Sequence, residues 1–246
     1  GAAGTMMYSK EGFQPFPPLD SHACAYLPHL RRMAAGGEGP TVAVIGIGGG
    51  TDIRTAVEFG ATRVLGLEIN EEMAKVAGED YAEFNGGLFQ LPGVEVVVGE
   101  GRSTLERLGE PFDVIILAGA DTYTAGAYGA FVLSESYLYT DEALGVYLDH
   151  LKPGGTVGIL RFYDEPHRET LRLLGMVLLE MRRRGAEQPS RHVAILRSFW
   201  SSGTVFSNEP FSDEDIDLFA KADDLPYDAD LNEVIYLPGR DADDPF

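Results

Sequence analysis

The residues able to do chemistry fall into a few short groups: Gly46-Ile47-Gly48-Gly49-Gly50, Glu68, Gly99-Glu100-Gly101, and a later set of Asp121, Tyr123, Glu135 and Tyr137. Gly46, Gly48 and Gly50 follow the apolar run Val42 to Ile45 and open a helix-like segment. Only a residue without Cβ turns that sharply and lets a ligand come close to the backbone. Glu68 closes the next apolar run, where a carboxylate can accept hydrogen bonds from two sugar hydroxyls at once. This succession describes a nucleotide-type cofactor lying across the end of a parallel sheet. Glu100 follows the third apolar run and stands where an adenine amino group could donate to it. Asp121 follows the fourth run, beside the switch point where an acceptor would sit. It is the first candidate for a general base, and capping of the next turn is an equal alternative. Tyr123, Tyr128, Glu135, Tyr137 and Tyr139 come next and could line an acceptor pocket. For any single tyrosine, core packing with the hydroxyl toward solvent is the plainer reading.

Strands must hold these groups at one edge. Val42 to Ile45, Val64 to Glu68, Val94 to Val98, Phe112 to Leu117 and Thr156 to Phe162 are nearly continuous apolar runs, which indicates burial on both faces and a parallel sheet. Helices are expected between them over Asp52 to Phe59, Glu71 to Phe84, Ser103 to Leu108 and Asp141 to Leu151, the second capped by Asn70 and the last by Thr140. A longer helix, Arg168 to Arg184, precedes two runs, His192 to Trp200 and Gly203 to Phe206, that read as an antiparallel hairpin. The expected fold is α/β: a doubly wound, mostly parallel seven-stranded sheet with a C-terminal hairpin. Residues 1–40 form a Pro-rich lead-in with a short helix near Ala25 to Ala34, in which Asp20 and His22 could close the pocket. Residues 41–210 form the cofactor domain. Residues 211–246 form a helix opened by a Ser212-Asp213-Glu214-Asp215 capping box, then an acidic surface tail.

The net charge of −20 comes from 39 acidic against 19 basic side chains, so the average surface repels phosphate backbones and nucleic acid is not an expected partner. Solubility, a salty habitat and attraction of cationic substrates all fit that acidity. Cys24 is the single cysteine, in an apolar context typical of a small core residue, and no disulfide or CxxC knuckle can form. The histidines show no metal-ligand spacing, so no metal is expected. No run approaches the ~20 apolar residues of a membrane span, and no signal peptide is visible; a cytoplasmic protein is the expectation.

A nicotinamide-binding turn takes G-x-G-x-x-G, whose last small residue lets helix and strand pack closely. Thr51 occupies that place and leaves Gly46-x-Gly48-x-Gly50. Taken with Glu68-Ile69-Asn70, Gly99-Glu100-Gly101-Arg102, Phe112-Asp113-Val114-Ile115-Ile116 and the turn Leu151-Lys152-Pro153-Gly154-Gly155, the chain from Val42 to Phe206 resembles the class I S-adenosylmethionine-dependent methyltransferases, in particular their spermidine synthase-like branch. Leu133 to Thr140 is similar to a subgroup of spermidine synthase-like proteins whose members frequently carry membrane segments. A free-standing relative and a domain of a longer protein both fit.

The resemblance implies S-adenosylmethionine, or its decarboxylated form, as cofactor. Gly46, Gly48 and Gly50 would face its amino acid and ribose end, Glu68 its ribose hydroxyls, and Glu100 with the backbone of Gly101 its adenine. It implies a small-molecule acceptor, an amine among the candidates, and is consistent with a homodimer. Spermidine synthases carry Asp-x-x-Asp-Pro after strand four, and the first acid helps deprotonate and hold the attacking amine. Here Ala118 replaces that acid, Asp121 matches the second, and Thr122 stands for the proline. An alanine accepts no proton. Methyl transfer is therefore the expected reaction, with aminopropyl transfer as the alternative and a non-catalytic cofactor-binding module as a third reading.

Overall fold

The computed structural model describes Met7 and residues 21–118, 137–163, 167–198, 201–222 and 233–239. β-branched and leucine-rich runs make its central strands, as expected for segments buried on both faces. These are β1 (Thr41–Ile45), β2 (Arg63–Glu68), β4 (Phe112–Ala118) and β5 (Leu151–Phe162), with β3 (Val94–Val98) at one edge. β6 (Val193–Arg197), β7 (Ser201–Ser207) and β8 (Glu233–Tyr236) complete a sheet of order β3-β2-β1-β4-β5-β7-β6-β8. The pairs from β3 through β5 are parallel, and β7, β6 and β8 run antiparallel. β1 lies between β2 and β4, so the topological switch point is at the carboxyl ends of β1 and β4.

The sheet has 8 strands rather than the expected seven. Its extra member comes from the tail, where Glu233-Val234-Ile235-Tyr236 pairs with β6 and buries Ile235. Four residues in an acidic stretch give too short a pattern to read as a strand, but an open β6 edge supplies unpaired backbone groups to satisfy. The hairpin also shifts: Ser201 and Ser202 belong to β7, where they pair with Phe162 and Arg161 of β5.

The helices are α1 (Leu27–Ala34), α2 (Thr51–Glu58), α3 (Glu71–Lys75), α4 (Gly101–Leu108), α5 (Asp141–Asp149), α6 (Arg168–Arg183) and α7 (Asp213–Ala220). The helix expected over Glu71 to Phe84 is shorter: α3 widens into a π-turn at Val76–Asp80, marked by Tyr81 N–H donating to the carbonyl of Val76 at 3.0 Å. Gly78 sits inside that turn and weakens the tighter helix there. Ser212 and Asp215 form the expected capping box on α7. One core packs α1, α2 and α7 on one face of the sheet; the other packs α4, α5 and α6 on the opposite face.

The described part of the lead-in belongs to the core on the α1–α2 face. Ser21–Tyr26 forms a 3₁₀ turn whose residues are all buried, Cys24 among them. It lies across β5 and β7 where those strands carry glycine. A Cβ on Gly158 would strike the carbonyl oxygen of His22, and one on Gly203 would strike the backbone of Ser21 and His22.

At the amino-terminal edge, away from the switch point, one polar group fastens strands together and another ties α1 to β5. Asp113 accepts the N–H and the hydroxyl of Thr41 and the Lys152 ammonium, each at 2.8 Å. Burial raises the Asp113 pKa, but these bonds outweigh it and hold the carboxyl below its ordinary range. His29, also buried, meets Thr156 Oγ1 through Nε2 at 3.0 Å, and its Nδ1 accepts from Arg32 at 2.6 Å. Thr156 in turn donates to the carbonyl of Ala25 at 2.7 Å, so the imidazole must be the neutral Nε2–H tautomer.

Candidate functional site

The glycine turn leaves β1 with φ of 82° at Gly46, 48° at Gly48 and 92° at Gly50, all in the left-handed region. Gly46 N–H still donates to the carbonyl of Leu67 at 2.8 Å, keeping the turn tied to β2. At Gly50 a side chain would also meet Leu88 Cδ2 at 2.8 Å and Phe89 Cζ at 2.9 Å. Gly50 caps α2 without any side-chain acceptor. The leading N–H groups of the helix are thereby left for a ligand, at its positive end. Gly101 is fixed by packing: a Cβ there would strike Ile45 Cγ2 at the end of β1.

Glu68 ends β2 and is 7% exposed. Its Oε1 accepts the N–H of Asn70 at 2.9 Å, and its carbonyl accepts the N–H of Gly99 at 2.8 Å. Among the described residues nothing donates to Oε2. A carboxylate held by one oxygen with the other spare fits a sugar hydroxyl. Beside it stand Ile69, 41% exposed, and Val98, 48% exposed and the register partner of Glu68. Two large apolar side chains in water next to a spare carboxylate suit the faces of a flat ring such as adenine. Sequence reasoning passed over both; an isoleucine directly after the acid, where a polar turn residue is ordinary, is the signal that was available.

Glu100, expected beside the adenine, is engaged by its own helix. It caps α4, with Oε1 accepting from Arg102 N–H at 3.0 Å and Oε2 from Ser103 N–H and hydroxyl, both at 2.8 Å. A carboxylate has lone pairs beyond those three, so an adenine amino group would share it with the helix.

From the lead-in, His22 Nε2 meets Asp52 Oδ1 at 2.8 Å, joining the buried 3₁₀ turn to the first turn of α2. Of the acceptor residues, Tyr137 and Tyr139 are described: Tyr137 is exposed, and Tyr139 is half-buried against the core on the α4–α6 face. Asp20, Asp121, Tyr123, Tyr128 and Glu135 lie outside the described residues. β4 ends at Ala118, paired with Leu160 of β5. Among the described residues no group of three or more His, Cys, Asp or Glu is arranged to hold a metal, and no helix is long and apolar enough to cross a membrane. A cleft of about 570 Å³ opens at the opposite end of the sheet, near His192 and Asn208. Its arginines are already engaged, Arg184 by Glu180 and Asp149, and Arg191 by Asp213.

Sheet order, glycine turn and Glu68 together define the class I S-adenosylmethionine-dependent methyltransferase fold. In sequence the chain is similar to the spermidine synthase-like branch of that superfamily. It is 28% identical over 164 residues to polyamine aminopropyltransferase 2 of Pseudomonas aeruginosa, covering 64% of this chain and 45% of that protein. The chain spans less than half the length of the curated relatives it matches. Among solved structures, a probable spermidine synthase from Corynebacterium glutamicum superposes with a TM-score of 0.60 at 17% identity, covering 86% of this chain and 72% of that one. Human methyltransferase-like protein 13 in complex with SAH superposes with a TM-score of 0.57 at 15% identity, covering 80% and 86%. No family model matches the chain. The names of the curated relatives fall on the side of the aminopropyl alternative rather than the methyl transfer expected from Ala118.

Proposed function

We propose that this chain is the cofactor-binding and catalytic part of a transferase that uses an adenosyl sulfonium compound to alkylate a small amine, with aminopropyl transfer from decarboxylated S-adenosylmethionine as the first reading. The observation that carries the proposal is the spare Oε2 of buried Glu68 beside the left-handed glycine turn at the switch point. When bound, the sulfonium supplies an activated carbon for in-line displacement by a nitrogen lone pair. The chain's own part is to hold and orient. Glu68 grips the sugar, Ile69 and Val98 flank the ring, and the turn with the open start of α2 receives the amino acid end. Asp121 is assigned to accept the proton that the attacking amine releases, and Tyr123, Glu135 and Tyr137 to line the acceptor side.

Likeness to polyamine aminopropyltransferases supports the aminopropyl reading. Methyl transfer is the second reading, favoured by Ala118 in the place of an acid. Calorimetric titration of the full chain with both forms of the cofactor separates them. Tighter binding of the decarboxylated form is expected; binding of S-adenosylmethionine alone would overturn the first reading in favour of the second. Glu68→Ala should weaken either by about 1.5–3 kcal/mol through lost charge-assisted hydrogen bonds. Unchanged affinity in that variant would remove Glu68 from the site. Asp121→Asn should lower kcat by about a hundredfold at unchanged cofactor affinity, read in a steady-state transfer assay.

A further inference from the structure

The cleft at the opposite end of the sheet is not used by the chemistry above. It lies between the loop that follows α6 and the loop that precedes α7, with a volume of about 570 Å³. Its two walls are tied to each other. Phe211 N–H donates to the carbonyl of Arg191 at 2.8 Å, and the Phe211 carbonyl accepts from Arg191 Nη2 at 2.9 Å. A cleft of this size with walls so fixed suits a small molecule, because little has to be ordered when one enters.

The polar lining selects the kind of molecule. His192 Nδ1 meets the carbonyl of Ser207 at 3.0 Å, and a carbonyl only accepts, so Nδ1 carries the proton. In the neutral ring Nε2 then presents a lone pair, and no described residue bonds to it. Asn208 Nδ2 donates to the carbonyls of Leu151 and Lys152 at 3.3 and 3.0 Å, which fixes the orientation of its amide. Its Oδ1 is buried and has no hydrogen-bond partner, a cost that an entering N–H group would remove. Glu187, exposed at the rim, pairs with no described cation. The two arginines of the lining each already face carboxylates, so an anion would compete with acids in place. An alkylammonium has three N–H donors and no acceptor, which complements this set. Met181, Pro210 and Phe211 give its methylenes an apolar wall.

We propose that this cleft binds an alkylammonium ion, with His192 Nε2, Asn208 Oδ1 and the Glu187 carboxylate as its acceptors. The site stands apart from the glycine crevice, and its ligand class follows from its own lining. The test follows the ring signals of His192, assigned by their loss in His192→Gln, in proton–nitrogen correlation spectra. The full chain is titrated with 1,4-diaminobutane in about 0.15 M salt, which screens diffuse attraction. The signals should shift saturably, and 1,4-butanediol, equal in length but uncharged, should bind at least about tenfold more weakly. Glu187→Gln should weaken the diamine about tenfold. Glu106→Gln, the same charge change on the exposed side of α4, should leave its affinity unchanged. If the diamine binds without moving the His192 signals, it sits elsewhere, and this inference falls while the transferase reading stands. It falls equally if nothing binds, if butanediol binds as well, or if the two glutamate variants weaken binding alike, the response of a diffuse acidic surface.

Discussion

Alanine at Gly203 is expected to cost about 3 kcal/mol of folding stability, lowering the melting temperature by about 6–12 °C. The position lies in mid-strand, paired with Leu160 on one side and Leu196 on the other. The added methyl would point into the backbone of Ser21 and His22. Backbone atoms cannot rotate away as a side-chain tip can, so either the 3₁₀ turn lifts or β7 bends. Lifting the turn exposes Cys24, Ala25 and Tyr26, each at most 1% exposed, and pulls His22 from Asp52 at the start of α2. Weakened cofactor binding should therefore accompany the lost stability. Gly175→Ala is the control. Gly175 lies inside α6 with nothing within 4 Å of an added Cβ, so there alanine should stabilise by about 0.5–1 kcal/mol. Thermal melts of both variants followed by circular dichroism decide the matter, and a neutral Gly203→Ala would mean that the lead-in is not seated as described.

The second large effect is a dependence of stability on pH set by His29. Burial first, and the Arg32 guanidinium second, lower its pKa from 6.5 to about 3. The unfolded chain therefore takes up this proton before the native one does. Stability from the neutral imidazole is complete above pH 6.5 and is lost progressively as the pH falls toward about 3. The slope grows from half of about 1.4 kcal/mol per unit at pH 6.5 to its full value below, so about 2 kcal/mol should disappear between pH 6.5 and 4.5. His29→Gln has no proton to gain. Its unfolding free energy, measured in urea across that range, should fall less steeply than that of the wild-type chain by this amount. Parallel profiles would show that His29 protonates in place without disturbing Thr156 or Arg32.

The shape of the candidate cofactor crevice was legible because its constraints are local. Gly46, Gly48 and Gly50 announce a backbone that only glycine adopts, and Glu68 ends an apolar run where a buried acid has no ordinary structural use. Glu100 was only half legible. Its position was readable, but its two bonds to Ser103 and one to Arg102 are helix capping, which the spacing Glu100-x-x-Ser103 signals equally well. β8 escaped because pairing with β6, and not its own four residues, makes it a strand. The acceptor residues Asp121, Tyr123 and Glu135 fall beyond what the structure describes, so their reading still rests on sequence.

The seating of Ser21–Tyr26 on Gly158 and Gly203 bears on how this molecule assembles. A segment made before β5 and β7 finds its berth only after those two strands have come together. Contacts so distant along the chain carry a large loop-closure entropy and fold slowly. Until that berth exists, Tyr26 and its neighbours are left to water, and a nascent chain halted before β7 carries a greasy segment with nowhere to dock.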